Sequence, residues 1–417
     1  MKKLLIVSPN FPPIGGIGVQ RITKLIKYLV PLKYEITVLT VPENSTRLQK
    51  DPSMMHDVPS NVRILRPFYF DYKKIVPGEL SKLFKPFERK YLFPDRFRMW
   101  NYFCLREIKK LVKEEKFDFV LVNAPPFSGV ELSYRIKNET GLKVFLNLRD
   151  PFSFNNYNIL KENDIKRSKA LDIEKKAVAA VDGLITVTPS HYKNYSELFP
   201  EFKDKIRIVT NGFDNDDFQI DSSVGSENRF FKIGYSGSFS TLAPLEQLLE
   251  AIYELNMENG TNIKFSIATN QPGSKVRGCH KKCYDSGFVE FLGFLPHKES
   301  IKNLCRSHLL AMVFANSPAT EGSYPGKVFE YFKVKRPIIL LNNNSSDIAE
   351  LIKKTKSGSC VNIDDKNEIK QTILKYYQEW LVTKKIDFSP DNSEINNFDY
   401  KNIVIKLDRV LNGGKQP

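Results

Sequence analysis

Two short segments hold residue types whose spacing could bind an anion and do chemistry on it. The first, Pro12-Pro13-Ile14-Gly15-Gly16-Ile17-Gly18, links an apolar run, Lys3–Ser8, to a helical one. Glycines at a strand-to-helix junction let the backbone approach a ligand, and the helix N-terminus favours negative charge there. A dinucleotide fingerprint would need G-x-G-x-x-G. Read from Gly16, the pattern breaks at Arg21, so an NAD site is not indicated. The second segment is Ser323-Tyr324-Pro325-Gly326-Lys327-Val328-Phe329-Glu330-Tyr331. Pro325 suits a helix start, which puts Lys327 in the first turn, where the helix dipole disfavours a cation. A bound diphosphate would reverse that cost. Lys327, Glu330 and Tyr331 then share one helix face, although an ordinary surface Lys–Glu pair has the same spacing.

Other candidate ligand sets are weaker. Asp214-Asn215-Asp216 spells D-x-D, a metal motif, but it lies in the polar stretch Asp214–Asn228 with no candidate sugar site beside it. It reads as linker chemistry, with no metal required. The cysteines, at 104, 279, 283, 305 and 360, are odd in number and suggest no disulfide framework. Cys279 and Cys283 flank His280 without the spacing of a zinc site and read as a polar loop. The histidines, at 56, 191, 280, 297 and 308, all fall outside the two segments.

The elements that must position these residues are α/β. A chain of 417 residues exceeds what one hydrophobic core usually holds, so two domains are expected. In the first half, near-continuous apolar runs predict strands at Lys3–Ser8, Glu35–Val41, Val62–Leu65, Phe119–Asn123, Lys143–Leu148, Gly183–Val187 and Arg207–Val209. In the second half they fall at Lys232–Ser236, Ile263–Ala268, Val289–Gly293, Leu309–Ala315, Pro337–Leu341 and Ser359–Ile363. Helical stretches lie between them, among them Leu245–Leu255, Lys298–Cys305, Gly326–Val334 and Asp347–Lys353. In the first helix, Val19, Ile22, Leu25, Ile26, Leu29 and Val30 form an apolar stripe that leaves Arg21, Lys24 and Lys27 outside. Alternating strands and helices predict two doubly wound parallel sheets, whose switch-point crevices would meet at one cleft. The expected domains are 1–213, with a basic and aromatic insertion at 61–112, and 214–390. The tail 391–417 is expected to be a helix returning to the first domain.

Charge supplies a further expectation. The net charge is +15, and residues 61–112 alone hold 13 Lys/Arg against 5 Asp/Glu. Aromatics such as Phe68, Tyr69, Phe70, Tyr72 and Trp100 interleave with those bases. An anionic membrane surface fits this pattern first and a packed insertion second; nucleic acid comes third, because no nucleic-acid motif accompanies the charge. Lys73, Lys74, Lys82 and Lys85, together with Arg21, are the candidate membrane or acceptor contacts. The opening MKKLLIVSPNFPP has too short an apolar run for a signal peptide, and no run reaches the roughly 18 apolar residues of a spanning helix.

With these motifs in order, the sequence resembles the family-4 retaining glycosyltransferases of the GT-B fold, in the branch that builds bacterial surface polysaccharides. The resemblance rests on Phe11–Gly16, Pro94-Asp95 followed by Trp100, Phe117-Asp118 leading to Ala124-Pro125-Pro126, and Leu148-Arg149-Asp150-Pro151-Phe152. It continues through Val181–Thr188, Asn211-Gly212-Phe213-Asp214, Gly234-Tyr235-Ser236-Gly237, Phe291-Leu292-Gly293 and Lys327–Tyr331 followed by Lys335-Arg336-Pro337-Ile338.

The resemblance implies two Rossmann-like domains and a nucleotide-diphosphate sugar as donor, with no metal or other cofactor. It implies a saccharide or lipid-linked acceptor and a place on the cytoplasmic face of the membrane. It puts Gly15 and Gly16 near the donor diphosphate, Asp150 near the donor sugar and Glu330 on the ribose hydroxyls. Arg149, Gly237, Ser238, Lys327 and Val328 join the donor-binding set, and Asp150, Lys327 and Glu321 the catalytic one. Two positions depart from the family. Its second glutamate would fall at Gly322, with Glu321 one step off, and its basic phosphate clamp would fall near Ser238 and Pro244. Lys327, Arg149 or the amides around Gly237 and Ser238 are the available substitutes. A sugar-nucleotide epimerase or a non-catalytic sugar-nucleotide-binding relative would share the same fold.

Overall fold

The structure, a computed structural model, describes residues 1–414 except 46, 47, 49, 72–90, 155–164, 219–228 and 344. Two compact units emerge, Met1–Asn211 with Tyr400–Pro417, and Gly212–Asp399. In the first, β1 (Lys2–Val7), β2 (Tyr34–Leu39), β3 (Arg63–Leu65), β4 (Phe119–Ala124), β5 (Val144–Leu148), β6 (Gly183–Thr186) and β7 (Ile206–Ile208) form a parallel sheet ordered β3-β2-β1-β4-β5-β6-β7. In the second, β8 (Phe231–Ser236), β9 (Ile263–Ala268), β10 (Val289–Gly293), β11 (Leu309–Val313), β12 (Ile338–Leu341) and β13 (Gly358–Val361) form a parallel sheet ordered β10-β9-β8-β11-β12-β13. Both are the doubly wound α/β architecture expected from the sequence.

The apolar runs become central strands because each face of each sheet is covered. Alternate residues of β1 feed opposite cores: Leu5 and Val7 pack with Val120, Val122 and Leu146, whereas Leu4 and Ile6 pack with Ile22, Ile26 and Leu121. The second unit is likewise double-faced, with Ile233 and Phe265 on one side and Leu310, Met312 and Leu340 on the other. In each sheet the order reverses beside the first strand, between β1 and β4 and between β8 and β11. That reversal opens a crevice at the carboxyl ends of the strands, the usual ligand position in such folds.

The first helix, α1 (Ile17–Leu29), is covered on more than one side. The helix Tyr400–Leu411 packs Tyr400, Ile403, Val404 and Leu407 into the same core as Leu25 and Leu29 of α1, and Asp408 accepts hydrogen bonds from Tyr34 Oη at 2.7 Å and Lys2 Nζ at 3.1 Å. The chain returns to the first unit at Tyr400 rather than at residue 391, because Ile395 is buried in the second unit's core. The first boundary falls after Asn211 rather than after residue 213, since Phe213 packs with Ile301 and Phe332.

The double covering of α1 also overturns its expected polar face. Arg21 and Lys24 are each only 1% exposed. Arg21 donates to the carbonyls of Thr210 and Val209, the latter at 2.8 Å, and to Asn211 Oδ1 at 3.0 Å, and Lys24 pairs with Asp57 at 2.8 Å. Arg21 is thus a tie between α1 and the end of β7, not a surface contact for a membrane. No helix among the described residues is long and apolar enough to cross a membrane.

Candidate functional site

In the second unit, the helix Gly326–Val334 is locked against the turn after β8. Tyr331 is fully buried, and its hydroxyl accepts from the Ser236 amide at 3.1 Å and donates to the Ala311 carbonyl at 3.4 Å. Beyond Ser236 the backbone turns at Gly237, whose φ of 124° suits a residue without Cβ. Gly237 and Ser238 are exposed there, and the Ser238 carbonyl accepts from Tyr235 Oη at 2.7 Å.

This packing sets Lys327 over aromatic faces, its Nζ 4.2 Å from the Tyr235 ring centroid and 5.5 Å from that of Phe314. No acidic residue occupies the helix's first turn and no side chain caps it, so dipole and cation are uncompensated at this end. Among the described residues the ammonium meets no hydrogen-bond acceptor. Burial lowers its pKa to about 8, against the smaller opposing pull of Glu330.

One turn along, Glu330 Oε1 lies 3.0 Å from His297 Nε2, at the start of the helix His297–Cys305. Sequence spacing left His297 outside the motifs; only the packing of its helix against the helix Gly326–Val334 brings it to the glutamate. Val328 is wholly buried and its amide donates to the Pro325 carbonyl at 3.1 Å, so the donor contact expected of it is not on offer here. Glu321 sits exposed at the end of the short helix Pro318–Glu321, and no hydrogen bond draws it toward Lys327 or Glu330. The D-x-D segment forms a turn in which Asp214 Oδ1 accepts from the Asp216 amide at 3.0 Å.

In the first unit, the glycine segment and Arg149 come together. Gly16, with φ at 115°, is the N-cap of α1, and Gly15 precedes it in the half-buried loop. Gly18 lets the Arg149 guanidinium lie against the α1 backbone: a Cβ there would stand 2.3 Å from it and push it aside. Arg149 leaves β5, donates from Nη2 to the Pro125 carbonyl at 3.1 Å, and keeps a buried Nε without a partner among the described residues. Burial lowers the pKa of Arg149 and raises that of adjacent Asp150, each countered by the other's charge. An α1 N-terminus with no acidic residue in its first turn and a guanidinium against its backbone can accept an anion.

Below Asp150 lies a carboxylate that sequence reading missed. Glu174, in the helix Ile165–Ala180, is 0% exposed and accepts hydrogen bonds from Ser153 Oγ and Tyr195 Oη. A glutamate among lysines in a helix reads as solvated, and nothing in its spacing marks this one.

The basic, aromatic insertion is only partly described, and Lys73, Lys74, Lys82 and Lys85 lie outside the described residues. Among its described aromatics, Tyr69, Phe97 and Trp100 are buried, whereas Phe68 and Tyr102 are 60% and 61% exposed. Arg63, Arg66, Arg96 and Arg98 each pair with a carboxylate.

The family model described as Glycosyltransferase Family 4 matches residues 14–217, and that described as Glycosyl transferases group 1 matches residues 231–379. No curated protein matches the sequence. Solved structures share the fold at low identity. Sucrose-phosphate synthase from Thermosynechococcus elongatus is similar with TM-score 0.69 at 11% identity, over 99% of this chain and 98% of that one. HepE of Anabaena, solved with UDP, is similar with TM-score 0.63 at 14% identity, over 99% of this chain and 100% of that one. WaaG, a glycosyltransferase involved in lipopolysaccharide biosynthesis, is similar with TM-score 0.61 at 11% identity, over 99% and 100% of the two chains. Two parallel α/β units, each with glycine turns and cations at its strand ends, and two family matches covering both halves lead to one assignment: the chain belongs to the family-4 glycosyltransferases of the GT-B fold.

Proposed function

We propose that this glycosyltransferase moves a sugar, with retention, from a nucleoside-diphosphate sugar to a lipid-linked saccharide in the synthesis of a surface polysaccharide such as capsule, O-antigen or exopolysaccharide. The observation that carries the donor half is Lys327. It is a cation held at an uncapped helix N-terminus over two aromatic rings, with Glu330 one turn away on the same face. A diphosphate completes that electrostatics, and a ribose diol suits a carboxylate with two acceptor oxygens. The exposed turn at Ser238 stands where the family's basic clamp is missing, while the Gly237 amide is engaged by the Ala268 carbonyl at 3.0 Å. In the reaction the anomeric C–O bond to the diphosphate breaks and one to an acceptor hydroxyl forms. The main demand is therefore stabilisation of the departing anion, and the proposal assigns that to Lys327 without a metal.

Titrating UDP-, GDP- and other nucleotide sugars by thermal shift, followed by transfer assays with the stabilising donor, tests this reading. No stabilisation by any nucleotide sugar and no transfer would sink it. Glu330→Ala is expected to weaken nucleotide binding by about 1–3 kcal/mol, the loss of a charged hydrogen-bond partner. Unchanged affinity in calorimetry removes Glu330 from the site.

The acceptor half rests on the insertion. Exposed Phe68, Phe70, Tyr91 and Tyr102 suit the headgroup region of a bilayer. Because Arg63, Arg66, Arg96 and Arg98 are paired, attraction falls to the other bases of the insertion, each contributing about 1 kcal/mol near an anionic surface. The cytoplasmic leaflet is the surface proposed, with no nucleic-acid partner. Wild-type protein should float with anionic but not neutral liposomes at low salt, and detach at high salt. Replacing Lys73, Lys74, Lys82 and Lys85 by Glu should abolish flotation and leave soluble-donor binding intact. If the wild type ignores anionic vesicles at low salt, the insertion is packing and the membrane claim falls.

A further inference from the structure

The turn that carries Asp150 leaves the sheet after one last ladder bond, Arg149 N–H to the Ala124 carbonyl at 2.9 Å. Its backbone is irregular: Asp150, Pro151, Phe152 and Ser153 belong to no helix or strand. An irregular segment that carries a residue expected near the donor sugar needs something to hold it. Phe152 and Ser153 are buried, and their polar groups are held by Glu174 and by Tyr195, which itself bonds Glu174. Ser153 Oγ donates to one carboxylate oxygen of Glu174, and Tyr195 Oη donates to the other. The Phe152 amide donates to Tyr195 Oη at 3.3 Å, so Tyr195 links the turn's backbone to the Glu174 carboxylate.

Glu174 stands on the helix Ile165–Ala180 and Tyr195 on the helix Pro189–Leu198, so the turn is pinned to two elements of the first unit's core. Tyr195 also packs its ring 4.8 Å from that of Phe154, just beyond the turn. A carboxylate buried with no counter-ion among its hydrogen-bond partners is costly, and it gives nothing to the core that an apolar side chain would not give more cheaply. What it does supply is several acceptor sites at fixed directions, which specify one geometry for the groups that donate to it.

We propose that Glu174 is a positioning residue for glycosyl transfer: through Ser153 Oγ, and through Tyr195 which holds the Phe152 amide, it fixes the turn that carries Asp150. It does not touch substrate. The role rests on the reading of the chain as an active glycosyltransferase. Its effect is on the reacting geometry, where displacement on the order of 1 Å can cost up to about 100-fold in rate. Its effect on nucleotide affinity should be small, because the nucleotide contacts proposed above at Lys327 and Glu330 lie in the other unit.

The test is steady-state transfer kinetics and nucleotide calorimetry on the full chain with Glu174→Gln, Tyr195→Phe and the double variant, alongside amide hydrogen exchange at Phe152 and Ser153. Each single substitution is expected to lower kcat about ten-fold and to speed exchange at these two amides, with nucleotide affinity unchanged within about two-fold. Because both residues serve one clamp, the double variant should be little worse than the worse single one. Ser153→Ala, which removes one hydroxyl and leaves the carboxylate, must show the same split between kcat and affinity; it answers the question if a Glu174 variant does not fold. Unchanged kcat in folded variants overturns the role, as do losses that multiply in the double variant or nucleotide affinity that falls together with kcat. Transfer by the wild type that survives the substitutions overturns this role alone. Absence of transfer by the wild type overturns the enzymatic reading and this role with it.

Discussion

Replacing Lys327 by Met is expected to lower turnover by about 100-fold or more while the folded state stays equally stable or gains slightly. The asymmetry follows from where the ammonium sits. In the free protein it occupies the wrong end of a helix, half-buried over Tyr235 and Phe314, and its pKa has fallen to about 8. Desolvation is the larger cause and Glu330 offsets only part of it. Methionine fills the same space and removes the conflict. In the proposed reaction the balance would invert, because a departing diphosphate placed beside the ammonium would develop charge where a cation is already held and no reorganisation is needed.

The same pKa predicts a pH signature. The cationic form that an anion requires is lost as pH rises through about 8, so donor affinity of the wild type should weaken above that pH. In Lys327→Met this limb of the profile should be absent. Kinetics of both proteins from about pH 6.5 to 9.5, with unfolding measured alongside, decide the matter. Normal turnover combined with a clear loss of stability would make Lys327 a structural residue.

The second large effect concerns stability. Burial raises the Glu174 carboxyl to about 7, from an ordinary value of 4.5, even though Ser153 and Tyr195 donate hydrogen bonds to it. Folding therefore favours the protonated acid. Stability from this group is fully present below the unfolded value and is lost as pH rises through about 7. Between about pH 5 and 8.5 the loss should approach about 2–3 kcal/mol. Glutamine cannot ionise, so Glu174→Gln should narrow or reverse its stability deficit over that range, other groups being common to both proteins.

The two tryptophans permit a clean reading, since Trp100 is buried in the first unit and Trp380 in the second. In a Trp380→Phe background, urea unfolding followed by Trp100 fluorescence reports the unit that contains Glu174. Parallel stability–pH curves for the two proteins would show that Glu174 is not a buried, titrating acid.

Much of the architecture was legible without coordinates, and the strands show why. Leu4, Leu5, Ile6 and Val7 are apolar in succession because a parallel strand covered on both faces buries every side chain, so burial is written directly into residue type. The candidate cluster in the second unit was legible for a related reason. Lys327, Glu330 and Tyr331 lie within one helical turn and a half, where local periodicity alone sets which residues share a face. Tyr331 then anchors the helix to Ser236, and the group arrives at the turn after β8 as a unit.

The pairings between distant elements could be read only from the folded chain. Arg21 and Lys24 fall on the polar side of an amphipathic pattern, yet both are buried. Hydrophobicity records only the apolar stripe, while the carbonyls of Val209 and Thr210 and the carboxylate of Asp57 that receive these cations come from elsewhere in the chain. His297 reaches Glu330, and Glu174 reaches Ser153, only through the packing of helices and turns far apart in sequence. A polar side chain can be buried wherever its partners are supplied, and those partners carry no periodicity in the sequence. The two sheets and the helical cluster at Lys327 are legible in residue order, because the forces behind them act on neighbours or on every residue of a run. The buried charges are set by the fold, because their energy depends on groups that only long-range packing brings within hydrogen-bond distance.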